Sequence, residues 1–152
     1  MKQIEITSAN ASDMPQILEL QYLAYQSEAE LYGENIPPLQ QTIDELKCEF
    51  NQQTFLKATT ETGEIIGSVR AKVVDNVAYI GKLIVHPDFR RRGIGKRLMI
   101  EIEQLCNTAQ CKLFTGNKSV GNIRLYEQLG YEKTSEREAG DGLILLDMVK
   151  HL

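Results

Sequence analysis

Three strand-like segments in the middle of the chain, joined by two short turns, limit the folds that this sequence can adopt. The segments cover residues 54–59, 65–74 and 77–85, and each is rich in β-branched and other apolar residues. Residues 61–64 contain Gly63 and predict the first turn, and Asp75-Asn76 predicts the second. Connections this short favour antiparallel neighbours, so the three segments predict adjacent strands of a mostly antiparallel sheet.

Strand and helix patterns alternate in the rest of the chain. Thr42 and Glu45 form a capping box for one helix, and Ser12 or Asp13 is expected to cap an earlier one. The turn before the last strand is expected at residues 140–142. Further strands are predicted at residues 3–7, 112–115, 131–137 and 143–149, and helices at residues 12–28, 42–50, 94–107 and 122–129.

This order of elements predicts one domain, residues 1–152, of the mixed α/β class. We expect a single central, mostly antiparallel sheet of about seven strands, flanked on both faces by about four helices. The length and the 42% apolar content are sufficient for a real hydrophobic core.

Composition narrows the classes of function. The formal net charge is −4, which argues against nucleic acid as a partner, and no run of apolar residues is long enough for a membrane span. The first residues lack the apolar stretch of a signal peptide, and three cysteines give no disulfide framework, so a cytoplasmic location is expected. With only His86 and His151, we expect no metal site.

A basic, glycine-containing turn separates the third central strand from the next helix. It reads Arg-Arg-Arg-Gly-Ile-Gly-Lys-Arg at residues 90–97, and from Lys82 to Arg97 there are six Lys or Arg and one acid. Glycine allows a ligand to approach the backbone closely, and the free N–H groups and dipole of a helix N-terminus favour an anion. The turn therefore predicts a phosphorylated ligand. It is neither a Walker A loop, because Arg97 follows Lys96, nor a dinucleotide fingerprint, because Leu98 replaces the third glycine.

A second segment lies downstream, where residues 113–131 combine a strand, an Asn-x-x-x-Tyr helix and a Leu-Gly-Tyr ending. Together, the two segments resemble the GNAT superfamily of acyl-CoA-dependent N-acetyltransferases. The positions that carry the resemblance are Arg90, Gly93, Gly95, Asn122, Tyr126, Gly130 and Tyr131.

The resemblance implies that acetyl-CoA is the cosubstrate. In this family the basic turn binds the pyrophosphate of coenzyme A, which here assigns Arg90, Arg91, Arg92, Gly93, Ile94, Gly95 and Lys96. The preceding strand splays from its neighbour and pairs with the pantetheine arm, which assigns Leu83, Ile84 and Val85. Gly81 would suit a bulge there. Asn122 is expected to contact the cofactor, with a helix cap or turn residue as the alternative.

The resemblance also suggests catalytic residues. Tyr126 is the candidate general acid, because a phenol can protonate a departing thiolate; the alternative is a half-buried aromatic residue that packs its helix on the sheet. No base is evident, because the strand that often carries an acid in this family has Lys82 instead. Glu28 and Tyr32 are candidates for amine recognition, and a polar helix end with aromatic packing is the alternative. His86 could titrate near neutral pH, but it directly precedes Pro87 in a turn.

Three functions follow from these residues. The first is an N-acetyltransferase that moves the acetyl group of acetyl-CoA to a primary amine by direct attack within a ternary complex. The amine would belong to a small molecule or a peptide. The second is a non-catalytic acyl-CoA sensor of the same fold. The third, an anion- or nucleic-acid-binding module, is disfavoured by the acidic charge balance. Homodimer formation is left open.

Overall fold

A central sheet runs through the computed structural model, which describes residues 3–140 and 142–152. In this part of the chain the sheet has seven strands in the order β1-β2-β3-β4-β5-β7-β6. Every neighbouring pair is antiparallel except β4 and β5, which are parallel. The predicted class and strand number are confirmed. The strands are β1 Glu5–Ser8, β2 Thr54–Thr59, β3 Ile65–Val74, β4 Val77–Val85, β5 Gln110–Gly116, β6 Glu132–Glu138 and β7 Ile144–His151.

Six α-helices accompany the sheet in the described residues, two more than the sequence predicts. The helix expected at residues 12–28 is interrupted at Tyr25, and α3 was not predicted. Across the described ranges, no helix combines the length and apolar character that a bilayer crossing requires. The helices are α1 Met14–Ala24, α2 Gln26–Tyr32, α3 Pro37–Gln40, α4 Ile43–Gln52, α5 Ile94–Cys106 and α6 Val120–Gln128.

The caps of α1 and α4 differ in their agreement with the sequence. Thr42 and Glu45 form the expected capping box: Thr42 N donates to Glu45 Oε1 at 2.8 Å, and Glu45 N donates to Thr42 Oγ1 at 3.2 Å. Asp13 is the N-cap residue of α1, as expected, but its side chain makes no hydrogen bond to that helix. Its carboxylate instead accepts a 2.7 Å bond from Asn10 N, which closes the 3-10 turn before α1.

Apolar side chains form a core on each face of the sheet. On one face, α5 packs Leu98, Met99 and Ile102 against the central strands, and all three side chains are buried. On the other face, α1 and α4 bury Met14, Leu46 and their neighbours against the other side of the same strands. The sheet is therefore the middle layer of the molecule.

Two turns predicted between strands have distinct conformations. Asp75 and Asn76 have positive φ values of 50° and 63°, as a tight hairpin between β3 and β4 requires. In the turn before β7, Gly140 and Gly142 have φ values of 90° and 78°, while Asp141 lies outside the described residues.

Strand β4 contains a β-bulge close to its end. Ser68 pairs with Ile84, but Arg70 pairs with Gly81, so β4 has one residue more than β3 between these pairs. Lys82 has a φ of +47°, which identifies the irregular position as the residue after Gly81. Such a bulge bends the strand and increases its twist.

Strands β4 and β5 pair only at their beginnings. The register joins Val77 to Gln110 and Tyr79 to Lys112, and none of the later residues described in the two strands pair with each other. The strands therefore diverge, and the facing backbone edges of residues 80–85 and 113–116 have no strand partner.

Candidate active site

A cleft of about 1020 Å³ lies beside the diverging strands. Its walls come from β4, β5, β7, the N-terminal part of α6, and the segment from Tyr25 through α2 to Pro38. Helix α5 packs on the opposite face of the sheet, against β2, β3 and β4. The cleft and the N-terminus of α5 consequently approach the gap between β4 and β5 from different sides.

The predicted acceptor residues and the predicted motif on α6 meet in this cleft. Glu28, Tyr32, Asn122 and Tyr126 all line it. The Asn122 amide nitrogen donates to Glu28 Oε1 at 3.2 Å, and the Ser119 hydroxyl donates to Glu28 Oε2 at 2.6 Å. Glu28 is thereby held in place by the beginning of α6.

Tyr32 joins α2 to the same turn. Its hydroxyl accepts a 2.8 Å bond from Lys118 N and lies 2.8 Å from the Ser119 hydroxyl oxygen. The short helix α2 ends directly after Tyr32, where Gly33 has a φ of 92°. Tyr32 therefore acts at least in part as a structural connection between α2 and α6.

Tyr126 combines packing with access to the cleft. Its side chain is 7% exposed, and its ring lies edge-on to Tyr131 with ring centroids 6.0 Å apart. Among the residues described, none forms a hydrogen bond with its hydroxyl. Burial raises the pKa of Tyr126 above its ordinary value of 10.0, and the nearby Tyr25 and Glu28 raise it further. The phenol is therefore protonated at neutral pH.

The basic turn lies at the N-terminus of α5. Gly93 is the N-cap with a φ of 77°, and Arg91 also has a positive φ, of 63°. Arg97 N donates to Gly93 O at 3.1 Å, in the first hydrogen bond of the helix. The N–H groups of residues 93–96 precede that bond and are available to an anion.

The arginine side chains of this turn contact the protein itself. Arg90 Nη2 donates to Ala24 O at 2.9 Å, which ties the turn to the end of α1. The Arg92 guanidinium carbon lies 5.1 Å from the centroid of the Phe89 ring. The backbone donors of the turn, more than these two side chains, are thus free to bind a phosphate.

Gly95 is not required by the packing of the protein. A methyl group added there would lie 3.5 Å from Leu125 Cδ2, 3.7 Å from Leu83 Cδ2 and 3.8 Å from Val85 Cγ2, all ordinary contact distances. A glycine inside a helix is less favourable than alanine by about 1 kcal/mol. The packing of the protein therefore gives no reason for a glycine at this position.

The strand residues expected to meet the cofactor lie on both faces of the sheet. Leu83 lines the cleft and, with Val85, packs against the core beneath α5. Ile84 is 3% exposed and belongs to the core beneath α1. Only the backbone of Ile84 can therefore contact a ligand in the gap.

A group of charged side chains on the wall of the cleft was not predicted from the sequence. Arg70 is 2% exposed; its Nη2 donates to Gln21 Oε1 at 2.7 Å, and its Nη1 lies 3.3 Å from Glu49 Oε1. Lys82 Nζ lies 3.8 Å from the same Glu49 oxygen. Burial lowers the pKa of Arg70 and of Lys82, and the Arg70 charge lowers that of Lys82 further. The sequence signal was an arginine in the middle of β3, between the apolar residues Val69 and Ala71.

Tyr25 lines the same cleft as Arg70 and Tyr126. Burial raises the pKa of Tyr25 to about 12, the positive charge of Arg70 opposes that rise, and the negative charge of Glu28 adds to it. The Glu28 carboxylate therefore acts in the same direction on the pKa of Tyr25 and on that of Tyr126.

Comparison with known proteins identifies the family. Residues 23–152 match the sequence profile of the Acetyltransferase (GNAT) domain. The curated UPF0157 protein YqkA of Bacillus subtilis is 28% identical over 132 residues, which are 86% of this chain and 38% of YqkA. The chain thus spans well under half the length of that relative. The chain belongs to the GNAT acetyltransferase family.

Solved structures show the same fold. The PaiA N-acetyltransferase of Thermoplasma acidophilum, in complex with coenzyme A, superimposes with a TM-score of 0.78 at 20% identity and covers 99% of each chain. The putative acetyltransferase YncA of Salmonella typhimurium, with acetyl-CoA as its cofactor, superimposes with a TM-score of 0.77 at 19% identity. The superposition covers 99% of this chain and 94% of the YncA chain.

Proposed function

We propose that this protein transfers the acetyl group of acetyl-CoA to a primary amine. The observation that carries the proposal is the gap between β4 and β5, with free helix N–H groups on one side and the cleft containing Tyr126 on the other. A thioester that passes through this gap would present its carbonyl to an amine in the cleft.

The cofactor would be held mainly by backbone groups. The N–H groups of residues 93–96 face the pyrophosphate, and charge-assisted hydrogen bonds of this kind contribute about 1.5–3 kcal/mol each. The unpaired edge of residues 80–85 offers partners to the amide groups of the pantetheine arm. An N–H of Leu83, Ile84 or Val85 would polarise the thioester carbonyl and stabilise the oxyanion.

The reaction proceeds within the ternary complex. The amine nitrogen attacks the thioester carbon, a C–N bond forms and the C–S bond breaks. Glu28 holds the ammonium group of the acceptor and receives its first proton before the attack. Tyr126 gives its proton to the departing thiolate of coenzyme A, as a neutral phenol can at physiological pH. The second proton leaves the nitrogen once the C–N bond has formed and restores the Tyr126 phenol. Asn122 keeps the Glu28 carboxylate in position.

Calorimetry with coenzyme A tests the cofactor assignment. We expect a dissociation constant in the low micromolar to submillimolar range, roughly −5 to −8 kcal/mol. Tight binding of a simple nucleotide together with no binding of coenzyme A would contradict it.

An assay of acetyl transfer across a panel of amines separates an enzyme from an acyl-CoA sensor. The enzyme forms N-acetylated product that mass spectrometry detects. A sensor would bind coenzyme A and acetylate none of the amines.

A further inference from the structure

The charge of the cleft is opposite in sign to that of the protein. Five basic and three acidic residues line the cleft, so its formal charge is +2, whereas the whole chain carries −4. Two of the basic residues, Lys72 and Lys112, are exposed, and the other three, Arg70, Lys82 and Arg137, equal the acidic residues in number. The distribution of these charges therefore bears on the identity of the acceptor.

The acidic residues of the cleft differ in their partners. Asp147 Oδ2 lies 3.1 Å from Arg137 Nε, so these two charges compensate each other. Glu49 is shared by Arg70 and Lys82, at 3.3 Å and 3.8 Å, so one negative charge faces two positive ones. Glu28, by contrast, accepts hydrogen bonds from neutral groups, the Ser119 hydroxyl and the Asn122 amide, and forms no ion pair with a described residue. The cleft thus has a negative position at Glu28 and a positive one at Lys82.

The bulge in β4 places the Lys82 side chain. A non-glycine residue with a φ of +47° is uncommon and its backbone is strained. The Lys82 side chain remains 26% exposed and lines the cleft. Because the Glu49 carboxylate is shared with the buried Arg70, it balances the charge of Lys82 only in part, and the Lys82 ammonium group can also pair with an entering anion.

We propose that the acceptor is a primary amine that also carries an anionic group, a carboxylate or a phosphate. This inference rests on the proposed function. The amine binds at Glu28 beside Tyr126, and the anion binds at Lys82, with the charge of Arg70 behind it. Lys82 is then a specificity-determining residue, and polyamines are poor acceptors because their second ammonium group meets like charge.

Paired acceptors that differ only in the anion test this proposal. A series of ω-amino acids of increasing length, each with its primary amide, isolates the carboxylate, and aminoalkyl phosphates with the corresponding amino alcohols isolate the phosphate. We expect kcat/KM for the best anionic acceptor to exceed that of its neutral partner at least about tenfold, with α,ω-diamines lowest.

The Lys82→Met variant removes the charge and keeps a long, flexible side chain. It should abolish the preference for the anion, so that the ratio of kcat/KM for each acid to kcat/KM for its amide falls to about one. The matched control is Lys47→Met on α4, which is exposed and outside the cleft and should change neither value. Coenzyme A affinity, measured in parallel, should be the same in all three proteins.

Equal use of acids and amides, or an equal loss for both in Lys82→Met, would overturn the inference and leave acetyl transfer intact. If the protein bound coenzyme A but acetylated no acceptor of any charge, both this inference and the proposed function would be wrong.

Discussion

The hydroxyl of Tyr126 lies where the core beneath α6 meets the cleft. Its ring packs beside Tyr131, while its oxygen has no partner among the described residues and remains free for a reacting group. Packing and acid catalysis are therefore compatible at this residue, and a substitution that keeps the ring can separate them.

Replacing Tyr126 by Phe removes only the hydroxyl. If the phenol protonates the thiolate, the rate of acetyl transfer should fall about 100-fold or more, because general acids contribute factors of this size. Coenzyme A affinity and melting temperature should be nearly unchanged. Tyr79→Phe is the control, since Tyr79 lines the same cleft and is 47% exposed. Unchanged turnover in Tyr126→Phe would show that the thiolate takes its proton from water.

Glu28→Gln keeps the shape of the side chain and removes its charge. We expect kcat/KM for the amine to fall about 10- to 100-fold, because the ammonium group loses its ionic partner, while coenzyme A still binds. Glu30 lies on the same helix, is exposed, and does not line the cleft, so Glu30→Gln is the matched control. A loss of coenzyme A binding in Glu28→Gln would assign this carboxylate to the cofactor side instead.

Among single residues, the sequence allowed the placement of those that belong to a local motif. Asn122 and Tyr126 are one helical turn apart, so their shared face follows from helix geometry. The pairing of Arg70 with Glu49 could not be predicted, because 21 residues separate the two and only the packing of α4 on β3 brings them together.

Among the elements, the junction of β4 with α5 determines how a ligand can bind. The bulge at Lys82 bends β4 before its end, and Gly93 then begins α5 in a left-handed conformation. The two glycines of this junction have different roles, because Gly93 has a φ of 77° whereas a Cβ at Gly95 meets only ordinary contacts.

Alanine at each glycine distinguishes these roles. Gly93→Ala should lower the free energy of unfolding by about 1 kcal/mol, because alanine disfavours a positive φ. Gly95→Ala should leave it unchanged or raise it by up to about 1 kcal/mol, yet weaken coenzyme A binding. Urea denaturation and calorimetry measure the two effects. Unaltered coenzyme A affinity in Gly95→Ala would place the pyrophosphate elsewhere.

Element boundaries were predictable where local signals were strong. The predicted ranges 54–59, 65–74 and 77–85 coincide with β2, β3 and β4, because turn residues separate β2 from β3 and β3 from β4. The break between α1 and α2 has no glycine or proline to mark it. Tertiary hydrogen bonds from Glu28 and Tyr32 to the start of α6 favour this change of direction, and no local pattern contains that information.

For the whole molecule, the buried tyrosine side chains make the free energy of unfolding depend on pH in the alkaline range. Burial raises the pKa of Tyr25 to about 12 and raises those of Tyr126 and Tyr131 as well. Unfolded tyrosines ionise near the ordinary value of 10.0, so the unfolded state releases protons first as the pH rises. The stabilisation due to the neutral buried phenols is therefore fully present below about pH 10. It is lost as the pH rises from there through the raised pKa values of the folded state.

We therefore expect the urea midpoint to be nearly constant from neutral pH to about pH 9 and to fall beyond about pH 10. Tyr25→Phe should reduce the slope of this fall, since one titrating phenol is removed. If the slope were the same in the variant, ionisation of Tyr25 would not contribute to alkaline unfolding.

The divergence of β4 and β5 leaves backbone amides inside a sheet without the protection that a neighbouring strand provides. In the free protein, those on the facing edges at residues 80–85 and 113–116 should exchange their hydrogens with deuterated solvent faster than amides of β3, which is paired on both sides. Coenzyme A should slow exchange on the β4 edge selectively. The cofactor would then act as a temporary eighth strand. The sheet would be continuous across the gap between β4 and β5 only while coenzyme A is bound.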